Sequence, residues 1–245
     1  MVTPPPNAAP DRAGPAHEIE GLLFDKDGTL FGFQATWGGW TVNLLRNLAP
    51  DRPDIQRDLA ARLRLDLARG AFDPASPVIA GTLDDSIDAM LPALGGWSRE
   101  RLTGHLLEES RAVQPVEAVP LVPLIGQLRR AGFALGVATN DSEDPALAQL
   151  ASVGLADAFD FVAGSDSGYG AKPGPGQCLA FAEAQGLSPG AVAMVGDSTH
   201  DLLAARAAGM WRVAVLTGVA AHDDLHHEAD VVLPDIGHLP AWLGL

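Results

Sequence analysis

The amino-acid sequence predicts an α/β fold: a doubly wound, mainly parallel, Rossmann-like sheet into which a small α-helical domain is inserted. The first observation is that short apolar segments alternate with helical segments from residue 115 to the C-terminus. Wholly apolar strands in such a series are typical of a parallel sheet covered by helices on both faces. The second is that one more apolar strand, at 19–24, precedes a long segment with helical periodicity only.

The N-terminal part of the chain is expected to hold a tail, a first strand and the helical domain. Residues 1–17 are rich in proline and are predicted to be disordered. The helical domain is predicted at 33–114. One of its helices places Ile55, Leu59, Leu63 and Leu67 on a single face, because these residues recur every fourth position. Its other helices are predicted at 36–49, 76–91 and 98–113.

The α/β core is predicted to comprise residues 18–32 and 115–245. One of its helices is expected to begin at Asp144, as N-cap, and Pro145, as the first helical residue. Other helices are predicted at 121–128, 175–185 and 199–208. Further strands are predicted at 133–138, 159–163, 191–195, 212–216 and 230–233.

Composition excludes several classes of function. The chain carries 31 acidic residues against 16 Lys and Arg, a net charge of −15 that repels nucleic acid. No apolar stretch is long enough to cross a membrane, and the N-terminus does not resemble a secretion signal. The single cysteine, Cys178, allows no internal disulfide. A cytoplasmic protein is therefore expected, while the sequence gives no indication of its oligomeric state.

Acidic residues follow two of the predicted strands. Asp25 and Asp27 come directly after the first strand, and residues two apart in extended chain point to the same face. Asp197 and Asp201 follow the strand at 191–195, with a spacing that places both on one face of a helix start. A turn at Asp27 and helix capping are the alternative explanations. Because parallel strands end at one edge, four carboxylates are expected there, and Mg²⁺ suits such oxygen ligands.

Three further residues are candidates for binding an anion beside these carboxylates. Thr139 and Asn140 end the strand at 133–138, where a hydroxyl and backbone N–H groups can hold anionic oxygens. Lys172 precedes a stiff Pro-Gly-Pro segment and is one of two lysines in the chain, the other being Lys26. For Thr139 and Asn140 the alternative explanation is a cap or turn, and for Lys172 it is a solvated surface cation. Lys26 itself receives no predicted role.

Several other residues are interpreted as structural. Trp37 and Trp40 are expected in the core of the helical domain rather than at a substrate entrance. Cys178 is interpreted as a small packing residue within a helix. A solvated helix face is favoured over a metal site for the histidine group His222, His226 and His227.

These motifs together resemble the haloacid dehalogenase-like superfamily. The signature DxDGT is matched by residues 25–29, the hydroxyl motif by Thr139, the lysine motif by Lys172 before Pro173, and the acidic GDxxxD motif by residues 196–201. All four occur in the family's order. The helical insertion between the first two motifs resembles the small α-helical cap of the phosphoglycolate phosphatase-like branch.

The resemblance implies a phosphatase that hydrolyses a small phosphate monoester with Mg²⁺. Asp25 would be the nucleophile that forms an aspartyl-phosphate, and Asp27 would be the general acid and base. Mg²⁺ would be held by Asp25, the backbone carbonyl of Asp27, and Asp197. Asp201 would hold a metal-bound water or orient Lys172.

The same resemblance assigns the phosphoryl group to Thr139, Asn140 and Lys172. An aspartate at position 27 favours phosphate esters, since dehalogenases of the superfamily lack it. The expected partner is a small phosphorylated metabolite, with phosphoglycolate as a candidate suggested by the type of cap. A phosphomutase, or a non-hydrolytic phosphate-binding or phospho-acceptor module, remains as an alternative on the same scaffold.

Overall fold

A computed structural model describes residues 18–245, so the predicted disordered tail at 1–17 lies outside the described residues. Its centre is a six-stranded parallel sheet with the order β5-β4-β1-β6-β7-β8. The predicted α/β fold is confirmed. The sheet is built from β1 (Gly21–Phe24), β4 (Ala134–Ala138), β5 (Phe161–Ala163), β6 (Val192–Gly196), β7 (Trp211–Val215) and β8 (Val231–Leu233), while β2 (Leu65–Asp66) and β3 (Ala71–Phe72) form a separate hairpin.

The register of the sheet brings the predicted site segments together. β1 pairs in parallel with β4 on one side and with β6 on the other. Phe24 lies opposite Val137 and Val195, so the three strands end at the same level. The chain leaves the sheet at this carboxyl edge, which is where α/β proteins bind ligands. The side chains that follow the three strand ends are Asp25, Thr139 and Asp197.

Both faces of the sheet are covered, as the apolar strands predict. Alternate residues of β1 enter different cores: Leu22 and Phe24 pack in one apolar cluster and Leu23 in another. The helices that follow the sheet strands or cover them are α5 (Leu121–Arg130), α6 (Glu143–Ser152), α7 (Gly176–Gln185), α8 (Thr199–Ala208), α9 (His222–Leu225) and α10 (Leu239–Leu243). The predicted N-cap at Asp144 is wrong, because α6 begins two residues earlier, with Ser142 as its N-cap.

The segment between β1 and α5 is helical except for loops and the short hairpin of β2 and β3, which the sequence did not predict, and we call residues 33–114 the helical insertion. It has an apolar core of its own. The helix that contains Ile55 ends at Leu63, because Arg64 adopts a left-handed conformation, so Leu67 lies beyond it. The helices are α1 (Phe33–Leu48), α2 (Pro53–Leu63), α3 (Leu83–Met90) and α4 (Arg99–Arg111).

Capping decides where α3 begins. A helix is predicted from residue 76, but α3 starts at Leu83, because the Thr82 side chain accepts from the backbone N–H of Asp85 and the Asp85 carboxylate accepts from that of Thr82. The residues before it instead form a loop that reaches the carboxyl edge of the sheet through Ala80, whose carbonyl accepts a hydrogen bond from Asn140 Nδ2. Within residues 18–245, no helix combines the length and apolar character that a bilayer crossing requires.

Candidate active site

A cavity of about 50 Å³, which we call the site cavity, lies at the carboxyl edge of the sheet. The helical insertion closes one side of it through Phe33 and the loop from Val78 to Gly81. All of the predicted site residues line it: Asp25, Asp27, Thr139, Asn140, Lys172, Asp197 and Asp201. Residues that are far apart in the sequence therefore meet around a single small volume.

Lys172 is the cation of this site. It is buried, and its Nζ donates to Asp25 Oδ1 at 2.7 Å, to Asp201 Oδ1 at 2.6 Å and to the Ala138 carbonyl at 2.7 Å. Burial alone would lower the pKa of Lys172, but the two carboxylates outweigh it and raise that pKa above its ordinary value. The ammonium is therefore charged and fixed by three acceptors, which excludes the alternative of a solvated surface cation.

Asp25 and Asp197 lie close together, and the positive charge around them is too small to keep both carboxylates ionised. Burial raises the pKa of Asp25 to about 6, with Asp201 and Asp27 adding to the shift and Lys172 opposing it. The pKa of Asp197 is raised well above its ordinary value by burial and by the charges of Asp25 and Asp201. Further positive charge between these carboxylates would stabilise their ionised forms.

The packing around Asp197 leaves room for its carboxylate only because two neighbours are glycines. A Cβ at Gly218 would lie 1.6 Å from Asp197 Oδ2, and one at Gly28 would lie 2.3 Å from the same atom. Gly28 also has a φ of +91°, a left-handed conformation that glycine adopts without strain. The lack of a side chain at both positions therefore leaves room for the Asp197 carboxylate beside the site cavity.

The donor set fits Mg²⁺. Asp25, Asp197 and Asp201 are all buried, and one oxygen of each lies within 4.8 Å of the others. Hard oxygen ligands with excess negative charge are what Mg²⁺ requires. The carboxylate of Asp201 is already engaged, since Oδ1 accepts from Lys172 and Oδ2 accepts from the hydroxyl of Ser198 at 2.7 Å. Of the two roles expected for Asp201, the geometry therefore favours orienting Lys172.

Thr139 and Asn140 differ in what they offer to a ligand. The Thr139 hydroxyl oxygen accepts from the backbone N–H of Asp141 at 3.0 Å, which leaves its own proton to be donated. The Asn140 side chain is occupied: it donates to the carbonyl of Lys172 and accepts from the Lys172 N–H. Asn140 thus holds the loop that carries Lys172, and only its backbone remains for binding an anion.

Sequence reasoning missed the role of Lys26. Its side chain is fully buried, and Nζ lies 2.5 Å from Asp27 Oδ2, 3.1 Å from Asp141 Oδ2 and 2.6 Å from Gln149 Oε1. Burial lowers the pKa of Lys26, but Asp27 and Asp141 outweigh it, and the net shift is upward. The scarcity of lysine was the available signal, since both lysines of the chain turn out to be buried against aspartates of the site.

Trp37 is the second residue that was missed. It packs in the core of the helical insertion, as expected, but its Nε1 also donates to Asp27 Oδ1 at 2.7 Å. Both oxygens of Asp27 are therefore held. Lys26, in the loop after β1, contacts Oδ2, and Trp37 of α1 contacts Oδ1. Nothing in the local sequence indicates this contact, because it depends on how the helical insertion docks on the sheet.

The remaining candidates lie as follows. His200 lines the site cavity, whereas His222 and His226 stack on each other at the short helix α9, away from it. His222 is exposed, in keeping with the predicted solvated face. Cys178 is buried in the core between α7 and the sheet, and burial raises the pKa of its thiol to about 12.

Comparison with known proteins was made at the levels of sequence and of structure. A family model described as haloacid dehalogenase-like hydrolase matches residues 19–209. The chain is 32% identical over 231 residues to a phosphoglycolate phosphatase from Rhodospirillum rubrum, a match that covers 91% of this chain and 90% of the relative. It is also 32% identical over 216 residues to "Probable phosphatase IndB" from Dickeya dadantii, covering 87% of this chain and 88% of that protein.

Solved structures share the fold at lower identity. A haloacid dehalogenase-family phosphatase from Thermococcus onnurineus superposes with a TM-score of 0.61 at 22% identity, covering 92% of this chain and 98% of that one. L-2-haloacid dehalogenase from Xanthobacter autotrophicus gives a TM-score of 0.62 at 19% identity over the same shares of the two chains. The family model and the relative from Rhodospirillum rubrum each span most of the chain, and the ordered motifs meet in one cavity. The protein is a member of the haloacid dehalogenase-like hydrolase family.

Proposed function

We propose that this protein is a Mg²⁺-dependent phosphatase that hydrolyses a small phosphate monoester through an aspartyl-phosphate on Asp25. The observation that carries the proposal is the position of Lys172 Nζ, which contacts both Asp25 and Asp201 in a buried cavity that Asp197 also lines. Phosphoryl transfer depends on positioning and on cationic charge around the phosphoryl oxygens. The relatives named as phosphatases support the same reaction.

In the first step an oxygen of Asp25 forms a bond to phosphorus while the bond from phosphorus to the ester oxygen breaks. Asp27, in its protonated form, gives its proton to the departing ester oxygen. In the second step a water attacks the phosphorus of the aspartyl-phosphate and transfers a proton to Asp27. The bond from phosphorus to Asp25 breaks as the bond to water forms, so inorganic phosphate leaves and both aspartates return to their starting forms.

The other residues hold the phosphoryl group and its charge. The Thr139 hydroxyl and the backbone of Asn140 would donate to phosphoryl oxygens, and Lys172 would neutralise both nucleophile and phosphate. Asp25, Asp197 and the backbone carbonyl of Asp27 would hold Mg²⁺. Bound there, the ion supplies positive charge that lets a phosphate dianion approach the carboxylates.

Two features favour hydrolysis over a phospho-acceptor module without turnover. Asp27 lies in the site cavity and offers the proton donor and acceptor that hydrolysis needs. The helical insertion lies over the site, and its apolar core is separate from those of the sheet. We infer that residues 33–114 form a cap domain on a core made of 18–32 and 115–245, which would shield the reaction from bulk water.

The proposal is tested by phosphate release from a panel of phosphate monoesters with Mg²⁺ and with excess EDTA. We expect release with Mg²⁺ and loss of release with EDTA that excess Mg²⁺ restores. Covalent labelling of Asp25 in rapidly quenched reactions would show the intermediate directly. Release that is unchanged by EDTA would contradict the metal requirement.

Mg²⁺ is expected to stabilise the folded protein, because the unfolded chain does not assemble the carboxylates. At a concentration about 100-fold above Kd, the melting temperature should rise by roughly 5–10 °C. The rise should be smaller at pH 5 than at pH 7.5, because Asp25, whose pKa burial raises to about 6, then holds a proton that competes with the ion. Thermal denaturation of wild type and Asp197→Asn measures this; an equal rise in both would refute the assignment of Asp197.

A further inference from the structure

The helical insertion contains a second cavity, which we call the apolar cavity. Its volume is about 120 Å³, and its walls are formed largely by side chains of α1, α3 and α4. The lining includes Trp40, Leu44, Leu63, Met90 and Leu106, so most of its surface is hydrocarbon or aromatic. Well-packed protein cores hold few voids that are larger than a water molecule. A cavity of this size is therefore a candidate for ligand binding.

The apolar cavity adjoins the site cavity. Phe33, Val78, Gly81 and Asp141 line both. Trp37 also lines the apolar cavity while its Nε1 donates to Asp27, the proposed proton donor to the ester oxygen. A phosphate ester bound with its phosphorus at Asp25 would thus direct its organic group between these residues into the helical insertion.

Three hydroxyl groups in the lining of the apolar cavity are already engaged within the protein. The Thr82 and Ser110 hydroxyls donate to Asp85 Oδ2 and the Leu107 carbonyl, and Ser86 Oγ lies 3.4 Å from the Thr82 carbonyl. Among the described residues that line the apolar cavity, Asp141 is the one with an ionisable side chain, and that side chain is a carboxylate. Lys26, which pairs with it, is fully buried and shared with Asp27 and Gln149.

The charges disfavour a carboxylate on the organic group. In the part of the chain that the structure describes, no arginine lines either cavity, and Lys172 is the one lysine that does. Lys172 is committed to Asp25, Asp201 and the phosphoryl group. His200 lines the site cavity and not the apolar one. A substrate carboxylate in the apolar cavity would be desolvated beside Asp141 without a free cation, which is costly.

We propose, building on the phosphatase activity proposed above, that the substrate is the phosphate monoester of an uncharged, largely apolar alcohol whose organic group is about the size of one six-membered ring. An apolar cavity of about 150 Å³ is large enough to bind benzene. The apolar cavity is slightly smaller, and it shares four lining residues with the site cavity, where the phosphoryl group would bind. Esters of small hydroxy acids, phosphoglycolate among them, fit its charges poorly.

The experiment compares three phosphate monoesters of primary alcohols under identical Mg²⁺ conditions: benzyl phosphate, ethyl phosphate and 2-phosphoglycolate. Phosphate release gives kcat/KM for each. We expect benzyl phosphate to exceed both of the others by at least about tenfold, because only its ring can leave water for the apolar cavity. Ethyl phosphate shares the two-carbon skeleton of phosphoglycolate and lacks its carboxylate, so it separates the effect of that charge from the effect of the ring of benzyl phosphate.

A variant that fills the apolar cavity provides the second measurement. Ser86 lines this cavity and is half-buried on α3, so Ser86→Phe should lower kcat/KM for benzyl phosphate by at least about tenfold more than it lowers kcat/KM for ethyl phosphate. Asn47→Phe is the matched control, since Asn47 is exposed on α1 and lines neither cavity. The activity of Ser86→Phe on ethyl phosphate also reports that the variant is folded.

The outcomes distinguish this inference from the proposed function. Preference for benzyl phosphate that Ser86→Phe removes supports it. Two results would overturn the inference and leave the phosphatase activity standing. One is a higher kcat/KM for phosphoglycolate than for benzyl phosphate, and the other is an equal loss of kcat/KM on all three esters in Ser86→Phe. Failure to hydrolyse any of the three esters, with no Mg²⁺ effect on the melting temperature, overturns both.

Discussion

Asp25→Asn is expected to lower kcat/KM for every phosphate monoester by about 10⁴-fold or more. The amide has nearly the shape of the carboxylate but is too weak a nucleophile to form the bond to phosphorus. The fold should persist, because Lys172 keeps its contacts with Asp201 and the Ala138 carbonyl. Removing the Asp25 charge also relieves its repulsion of Asp197. The melting temperature without Mg²⁺ should therefore fall by a few degrees at most.

Asp157→Asn is the matched control for this substitution. Asp157 is exposed in the loop before β5, and the same chemical change there should alter neither activity nor stability. Phosphate release with identical protein concentrations, together with thermal denaturation, measures both quantities. Retention of more than about a tenth of the wild-type kcat/KM in folded Asp25→Asn would exclude Asp25 as the nucleophile.

Lys26→Met is expected to have the second largest effect. It removes a fully buried ammonium and leaves the carboxylates of Asp27 and Asp141 without their cation. Breaking a buried ion pair by removing one partner costs about 3–5 kcal/mol of folding free energy. Chemical denaturation should register this loss as a lower midpoint. The methionine fills a similar volume, so the change in packing is small compared with the change in charge.

The same variant tests whether Lys26 positions Asp27 for proton donation or only stabilises the fold. Lys26 and Trp37 hold the two oxygens of Asp27, so loss of Lys26 should impair proton donation to the leaving oxygen. A positioned general acid contributes about 10²–10⁴-fold to the rate. We expect kcat/KM to fall by roughly 10²-fold for benzyl phosphate, whose alkoxide needs that proton. For p-nitrophenyl phosphate, whose phenolate leaves without one, the fall should be much smaller.

Arg212→Met supplies the control for stability. Arg212 forms a largely buried ion pair with Asp230, between β7 and β8 and away from the site cavity. Its loss should lower the denaturation midpoint while leaving the ratio of the two kcat/KM values unchanged. Equal losses on both esters in Lys26→Met would show that Lys26 acts on folding alone.

The local signals in the sequence sufficed for the sheet and for the predicted residues that line the site cavity, although not for Lys26 and Trp37. Short apolar runs that alternate with helices indicate buried parallel strands, and such strands end at one edge of the sheet, so carboxylates that follow two of them lie at the same edge. Asp25, Thr139 and Asp197 follow adjacent strands for this reason. Element boundaries were less accurate. The start of α3 depends on the capping box of Thr82 and Asp85, and the start of α6 lies after Ser142 rather than at Asp144.

The sequence by itself determined which fold this chain adopts and which charged residues meet at the sheet edge, because both follow from periodicity and from chain order. Only the tertiary structure decided what surrounds Asp27 and which side chains line the apolar cavity. Lys26 meets Asp141 and Gln149 across separate segments of the core, and Trp37 reaches Asp27 from the helical insertion. Such contacts depend on how one packed unit docks on another, a property that short-range sequence patterns do not encode.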